Sequence, residues 1–235
     1  MSKLTATRQS VVKRIYTDLN IIENNPIDGI HIVYGDNIDT VWCLIIGPKN
    51  TPYADGFYMF KIVFPSSYPS GPPKVTYLTT NGSIRFNPNL YSNGYVCLSI
   101  LGTWSGPSWQ PTMNLTSVVL SLQSLLSENP IQNEPGFSNE SITSVRAQNY
   151  NHMLRWYNWT YSIRQMCIKS PSPDLTELVN KLFNENRQMY SDKITELVKT
   201  YPTLMNIRSG IYDRYVTQID YTKEQEIFAL SCMKL

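Results

Sequence analysis

The sequence predicts a mixed α/β (α+β) fold: a four-stranded antiparallel meander sheet flanked by helices, with a C-terminal helical extension. Three observations predict it. An amphipathic helical pattern opens the chain, short segments rich in β-branched and aromatic residues follow, and further helical patterns come after an irregular stretch at 79–114. Sequential short strands favour a meander with one face to be covered by the flanking helices.

The first helix is predicted over residues 4–22. Apolar residues recur there at steps of three and four, at Val12, Ile15, Leu19 and Ile22. Basic residues fall elsewhere on the helix surface, which by itself indicates a solvated face.

Four strands are predicted at 29–34, 40–46, 57–64 and 74–78. Asp55-Gly56 is typical of a turn before the third. Trp42 and Cys43 are interpreted as ordinary residues of the second strand.

The later helices are predicted from apolar periodicity and proline punctuation. One begins at Leu115, with Asn114 or Thr116 as its N-cap, and ends at Asn129-Pro130; a helix pair follows over 141–169. Pro171 and Pro173 divide a core at 1–169 from an extension at 170–235, with helices at 174–190, 193–201 and near 221–233. Aromatic residues of the helix pair are interpreted as packing: Trp156, Tyr157, Trp159 and Tyr161.

The stretch 79–114 has no sustained period, and loops of that length in compact domains are usually functional. It holds Asn87-Pro88-Asn89, a turn-forming Asn93-Gly94 pair, and Cys97 eight residues after Asn89. The apolar neighbours of Cys97 alone would favour an inert buried thiol.

Three segments together resemble the ubiquitin-conjugating enzyme family. Residues 87–109 resemble its active-site segment, where a His-Pro-Asn triplet stands eight residues before a catalytic cysteine. Residues 47–75 resemble its strand-loop-strand segment with the Tyr-Pro-x-x-Pro-Pro signature, and 115–130 its central helix. The resemblance covers roughly residues 1–169, with the motifs in the family's order, and is therefore specific.

The resemblance implies that Cys97 accepts ubiquitin from the activating enzyme as a thioester and yields it to a lysine amine. A thiolate suits both steps, being a good nucleophile and a good leaving group. Asn89 matches the family's asparagine, which can donate a hydrogen bond to the developing oxyanion or can hold the loop by bonding backbone groups. Both interpretations of Asn89 stay open.

Further residues match family positions on either side of the cysteine. Glu134 matches an acidic residue beside the incoming lysine, and Ser99 a position that gates the substrate or forms a local bond. In the first helix, Arg8, Lys13 and Arg14 are the candidates for docking the activating enzyme.

The sequence departs from the common pattern in ways that resemble a subgroup of large conjugating enzymes, through RFNPNLY, CLSILGTW and NEPG. Asn87 replaces the triplet's histidine, and Ser70 replaces a phenylalanine that packs on ligases. The loop 104–111, with Trp104 and Trp109, is longer than in minimal enzymes and faces the ligase side. A RING or HECT ligase partner is therefore less firmly implied than the chemistry, and some of that subgroup act without a separate RING ligase.

Composition argues against several other classes of protein. Charged residues are 16% of the chain and the net charge is +2, without the clustered basic residues of a nucleic-acid binder. No apolar run is long enough to span a membrane, and no signal-peptide pattern opens the chain.

No metal site is expected because no closely paired ligands accompany the cysteines, which are Cys43, Cys97, Cys167 and Cys232. Free thiols fit a reducing compartment, cytoplasmic or nuclear. No cofactor is expected, since ATP is used by the activating enzyme.

Three alternatives remain. A non-catalytic ubiquitin-binding scaffold would typically lack Cys97. A cysteine hydrolase would need His31 or His152 as its base, and neither lies in the loop with Cys97. The same chemistry could also carry another ubiquitin-like modifier.

Overall fold

The computed structural model describes residues 2–212 and 216–232, and the sheet is its central element. Helix α1 spans Ser2–Asn24 and the strands follow in chain order, each antiparallel to its neighbour in the sheet. The strands are β1 (Ile30–Tyr34), β2 (Thr40–Ile46), β3 (Phe57–Val63) and β4 (Lys74–Tyr77). The predicted first helix, four strands and meander are confirmed, with Trp42 and Cys43 within β2.

Between β4 and the next helix, the chain is irregular, as predicted, with one 3₁₀ turn at Ser99–Leu101. Helix α2 spans Leu115–Ser124 and is capped by Asn114, whose side chain accepts from the Ser117 N–H. The predicted end at Asn129-Pro130 is wrong. The Asn87 side-chain amide donates to the Leu125 carbonyl at 2.7 Å, and a continuing helix would need that carbonyl for residue 129.

The predicted helix pair is also wrong, because the segment forms one continuous helical rod. Helix α3 (Val145–Tyr157) runs through a π-helical stretch at Asn158–Gln165 into α4 (Met166–Ile168). No proline or glycine interrupts this segment. At the start of the π stretch, Asn158 accepts from the Tyr58 hydroxyl at 2.6 Å and donates to the Ala54 carbonyl at 3.0 Å.

The two faces of the sheet pack against different partners, because successive strand residues point to opposite sides. On the inner face, Cys43, Tyr58 and Phe60 join α1, α2 and α3 in one apolar cluster. On the outer face, Leu44 and Met59 join a second cluster built largely from the extension. The expectation of a single covered face is therefore wrong, since both faces are buried.

The extension consists of three helices and a small hairpin. Its elements are α5 (Pro173–Glu185), α6 (Arg187–Thr200), β5 (Met205–Ile207), β6 (Thr217–Ile219) and α7 (Tyr221–Ser231). The break between the first two helices lies at Asn186, earlier than predicted. The hairpin was not predicted, because three-residue strands carry almost no periodic signal. The last predicted helix ran to 233, which lies outside the described residues.

Buried polar contacts join the extension to the rest of the chain. The Asp55 carboxylate, in a residue 3% exposed, pairs with Lys49 beside the sheet and with Lys193 of α6. Arg164 of the π-helical stretch pairs with buried Glu224 of α7 at 2.5 Å. The predicted division of the chain at residue 169 stays a prediction.

Within the described ranges, every helix is too short or too polar to cross a membrane. Over the same ranges, the histidines, cysteines and acidic residues nowhere gather in threes that could ligate a metal.

Candidate active site

Asn87 is the buried centre of the loop that carries the cysteine. Its side-chain amide donates to the Leu125 carbonyl at 2.7 Å and to the Tyr53 hydroxyl at 3.1 Å, and its side-chain oxygen accepts from the Asn89 N–H at 2.9 Å. Asn133 donates to the same oxygen at 3.4 Å. Asn87 therefore ties the loop to α2 and to the segment before Glu134, a structural role.

Asn89 and Cys97 are joined by two hydrogen bonds. The Cys97 N–H donates to the Asn89 carbonyl at 2.9 Å, and the Asn89 side-chain amide donates to the Cys97 carbonyl at 2.7 Å. In this state Asn89 holds the loop, as one of its two interpretations predicted. An amide has two N–H donors, so the second remains chemically able to serve an oxyanion at Cys97.

A tight turn brings the two residues together. Tyr91 and Tyr95 close it by a backbone bond of 2.9 Å, and Gly94 at its tip has φ +89°. A Cβ on Gly94 would stand 2.9 Å from the Tyr77 carbonyl of β4, so a side chain there would clash with the sheet. The turn predicted from Asn93-Gly94 is confirmed.

The Cys97 thiol lies in a largely covered position, with 3% of the residue exposed. Burial raises the pKa of the thiol above its usual value, while a hydrogen bond from Tyr91 and the positive charge of Arg85 act in the opposite direction. The thiol is therefore mainly protonated at neutral pH. An attack by this thiol on a thioester would require loss of the proton and local access for the incoming group.

Arg85 supplies the cationic side of the site. Its guanidinium stacks on Tyr91 at 3.9 Å from the ring centre and on Tyr212 at 4.7 Å, and it donates to the Pro88 carbonyl. This places a positive charge close enough to Cys97 to influence its pKa. Arg85 thereby connects the Asn-Pro-Asn loop to a residue of the extension.

Glu134 lies just after the 3₁₀ turn Pro130–Asn133 and is partly exposed. One of its carboxylate oxygens accepts from the Tyr212 hydroxyl at 2.5 Å. The acidic residue predicted on the acceptor side is therefore already bonded by a tyrosine of the extension.

The loops predicted to face a ligase differ in exposure. Trp104 is 45% exposed and Ser70 lies on the surface. Trp109 is 8% exposed, packs on Tyr68 and donates its indole N–H to the Pro69 carbonyl at 2.7 Å. The Trp109 ring therefore anchors the loop from inside, and its assignment to a ligase-facing loop stays a prediction.

Ser99 begins the 3₁₀ turn after Cys97 and is partly exposed. Its carbonyl accepts from the Gly102 N–H at 2.9 Å. A Cβ built on Gly106 would come within 3.0 Å of the Ser99 Cβ, so the following loop folds back against this residue. That placement is compatible with either predicted role, and neither role is tested.

The three basic residues of α1 also differ in their exposure and their partners. Lys13 is exposed, and Arg8 is exposed while paired with Asp39 at 2.5 Å. Arg14 pairs with buried Asp18 at 2.7 Å and donates to the carbonyls of Pro111 and Met113. Arg14 therefore ties α1 to the loop before α2, and its predicted contact with the activating enzyme stays a prediction.

Neither histidine is placed as a base for Cys97. His31 lies in β1 and His152 packs edge-on against Tyr201, the residue after α6, at 5.3 Å. Burial lowers the pKa of both imidazoles, and in the described part of the chain neither bonds the thiol. This arrangement argues against the hydrolase alternative.

Sequence reasoning missed Arg85, Tyr91 and Tyr212. The first two lie in the RFNPNLY motif and could have been singled out by their spacing around Asn87. Tyr212 follows a short hairpin strand in the extension and carries no local signal.

Similarity to known proteins identifies the family of this chain. A family model described as ubiquitin-conjugating enzyme matches residues 14–160. Ubiquitin-conjugating enzyme E2 Z of Xenopus tropicalis is 43% identical over 189 residues, which cover 79% of this chain and 60% of that protein. The human protein of the same name is 41% identical over 189 residues, covering 78% and 53%.

A third relative supports the large-enzyme subgroup. The human dual E2 ubiquitin-conjugating enzyme/E3 ubiquitin-protein ligase BIRC6 is 41% identical over 157 residues, covering 63% of this chain and 3% of that protein. The chain spans only 60% of the frog relative and 53% of the human one. With the family model matching more than half of the residues, over the sheet, the Asn-Pro-Asn loop and Cys97, the chain belongs to the ubiquitin-conjugating enzyme family.

Proposed function

We propose that the chain accepts ubiquitin on Cys97 as a thioester and transfers it to a lysine amine of a substrate or of ubiquitin. The observation that carries the proposal is the double hydrogen-bonded link between Asn89 and Cys97, at 2.7 and 2.9 Å, within a chain of this family. The link fixes the Asn89 amide, a possible oxyanion donor, against the backbone of the residue that carries the thiol, and acyl transfer through a thioester uses both groups.

The chemistry divides into two exchanges. In the first, Cys97 Sγ loses its proton and attacks the modifier's thioester; the new C–S bond forms as the old one breaks, and the released thiol takes up a proton. In the second, a lysine amine attacks the carbonyl, and the C–N bond replaces the bond to Sγ. Asn89 supports the oxyanion, and Glu134 accepts or orients the amine's proton.

The partners follow from the same proposal. Ubiquitin arrives from the activating enzyme, which consumes ATP, so no cofactor is needed on this chain. The docking candidates on α1 are the exposed Lys13 and Arg8, together with the partly exposed Arg14. Exposed Trp104 and Ser70 remain candidates for a RING or HECT ligase, and a reducing cytoplasmic or nuclear compartment would keep Cys97 free.

A charging assay tests the proposal. The full chain is incubated with ubiquitin, activating enzyme and ATP, and adducts are resolved on non-reducing gels. We expect a thiol-sensitive adduct with the wild type, a stable ester with Cys97→Ser and no adduct with Cys97→Ala. Cys232→Ala is a matched control, because that thiol is buried in the extension.

The rate should also report on the thiol. Because burial raises the pKa of Cys97, charging should accelerate from neutral to mildly alkaline pH. An adduct that survives Cys97→Ala would contradict the assignment. Charging with a different modifier, but not with ubiquitin, would favour the alternative carrier, and no charging at all would favour a scaffold.

A further inference from the structure

The extension reaches the active site through one side chain, Tyr212. The tyrosine follows a turn in which the Ser209 hydroxyl oxygen accepts the N–H groups of Ile211 and Tyr212, the latter at 2.8 Å. Gly210 in this turn has φ +79°, and a Cβ there would stand 2.6 Å from Arg146 Cγ of α3. The turn is therefore closely fitted against the core helix.

Tyr212 contacts the two charged groups of the site with different parts of its side chain. Its hydroxyl donates to Glu134 at 2.5 Å, and its ring lies under the Arg85 guanidinium at 4.7 Å. The ring also packs edge-on against buried Tyr150 at 6.1 Å. Partial burial and the adjacent carboxylate raise the pKa of Tyr212, so the hydroxyl stays a donor.

Arg85 and Glu134 carry opposite charges, yet the described residues contain no ion pair between them. Each contacts Tyr212 instead, Glu134 through a hydrogen bond and Arg85 through the ring. Without this tyrosine, Glu134 would lose its hydroxyl donor and Arg85 would keep only Tyr91 and the Pro88 carbonyl, so a direct pair between guanidinium and carboxylate would become more favourable. Arg85 would then leave its stack on Tyr91 beside Cys97, and Glu134 would lose its open carboxylate oxygen.

We propose that Tyr212 is a positioning residue for transfer: it holds Glu134 by its hydroxyl and Arg85 by its ring, and so makes the C-terminal extension part of the active site. The inference rests on the proposed function, since the lysine that Glu134 serves belongs to that reaction. It assigns separate tasks to the hydroxyl and to the ring.

Two substitutions in the full chain separate these tasks. Tyr212→Phe removes the bond to Glu134 and keeps the ring under Arg85, whereas Tyr212→Leu removes both. Tyr157→Phe is the matched control, because the Tyr157 hydroxyl also joins the core to the extension, through Thr217 at 3.2 Å, away from Glu134 and Arg85.

The first readout is discharge of the preformed thioester to free lysine, measured over lysine concentration and pH. We expect Tyr212→Phe to charge normally and to discharge about tenfold more slowly, the effect of one lost hydrogen bond to a charged group. Glu134→Gln should lose a similar factor, and the double variant should lose little more, because the two groups act as a unit. Tyr157→Phe should discharge like the wild type.

The second readout needs no modifier. Iodoacetamide alkylation of Cys97 is followed against pH, with Cys97→Ala as the blank. Tyr212→Leu should raise the apparent pKa of the thiol by releasing Arg85, and Tyr212→Phe should leave it unchanged. Thermal unfolding of each variant verifies that the extension remains docked.

The outcomes are distinguishable. Normal charging with unchanged discharge in Tyr212→Phe would overturn the role of the hydroxyl, and unchanged alkylation in Tyr212→Leu would overturn the role of the ring. If Tyr157→Phe slowed discharge and changed alkylation as much as the Tyr212 variants do, both effects would reflect general docking of the extension. That result would overturn the proposal. A wild type that never charges would instead remove the proposed function, and with it the role assigned at Glu134.

Discussion

The inner and outer faces of the sheet are both buried, but they are built from different parts of the chain. The inner face packs on α1, α2 and α3, whose apolar stripes are visible in the sequence, and supports the Asn-Pro-Asn loop. The outer face packs on the extension, where Phe183, Tyr190 and Phe228 form an aromatic cluster. The extension is therefore a second layer against the sheet, and the segment between its two short strands meets the Asn-Pro-Asn loop at Tyr212.

The largest effect is expected from removing one large side chain on each face. Leu122→Ala on the inner face should lower the free energy of unfolding by roughly 2–5 kcal/mol, and Phe183→Ala on the outer face by roughly 3–5 kcal/mol, because both are fully buried. Chemical denaturation followed by circular dichroism measures both. If the faces form one cooperative unit, each variant keeps a single transition. A separate early transition in Phe183→Ala alone would show that the outer layer unfolds independently of the inner one.

The next effect concerns the polar centre on the inner side. Asn87→Ala should lower the free energy of unfolding by about 3 kcal/mol, since it leaves the Asn89 N–H without its partner and the Leu125 carbonyl with only the long bond from Asn133, at 3.5 Å. Charging of Cys97 should fall as the loop loosens. Asn93→Ala is the control, because that side chain bonds only its own exposed turn. A fully stable Asn87→Ala would contradict the structural role.

Asp55 is a buried polar residue that joins the core to the extension, as Asn87 joins the loop to α2. Asp55→Asn should lower the free energy of unfolding by about 2 kcal/mol, because it removes the charge that pairs with Lys49 and Lys193, and these lysines are partly exposed and screened. Asparagine tolerates the φ of +62° at this position, so the change tests charge and not backbone strain. Asp192→Asn, on the exposed face of α6, should have little effect. Equal stability of the two variants would show that the pairs do not hold the extension.

The smallest effect is expected from pH. Both histidines lie where the core meets the extension, His31 near Lys181 of α5 and His152 against Tyr201 just after α6. Burial lowers the pKa of both. A folded pKa below the unfolded value of about 6.5 means that stability present above that pH is lost as the pH falls through the folded pKa.

Unfolding measured between pH 7 and pH 5 should therefore show a loss that His152→Gln reduces. Glu224 acts in the opposite direction, because burial raises the pKa of its carboxyl and favours the folded state on acidification. The His152→Gln comparison isolates the histidine from this contribution. An identical pH profile in the variant would contradict the expectation.

Much of the fold was predictable because its signals are local. Alternating or periodic apolar residues located α1 and the four strands, and Asn93-Gly94 located the turn before Cys97. The errors arose where a distant group intervened. Helix α2 stops short because the Asn87 amide donates to the Leu125 carbonyl, which a continuing helix would need for residue 129.

The sequence by itself determined the chemistry-bearing residues: a thiol at Cys97, the Asn87-Pro88-Asn89 triplet before it, and the acidic Glu134, in the order of a family with a defined fold. Only the tertiary structure decided their partners. In the folded chain the Asn89 amide donates to the Cys97 carbonyl, and Arg14 donates to the Met113 carbonyl. Tyr212 contacts both Arg85 and Glu134. The physical reason is that periodicity and motifs record local geometry, whereas a hydrogen bond or ring contact between remote segments depends on how the two faces of one sheet are covered.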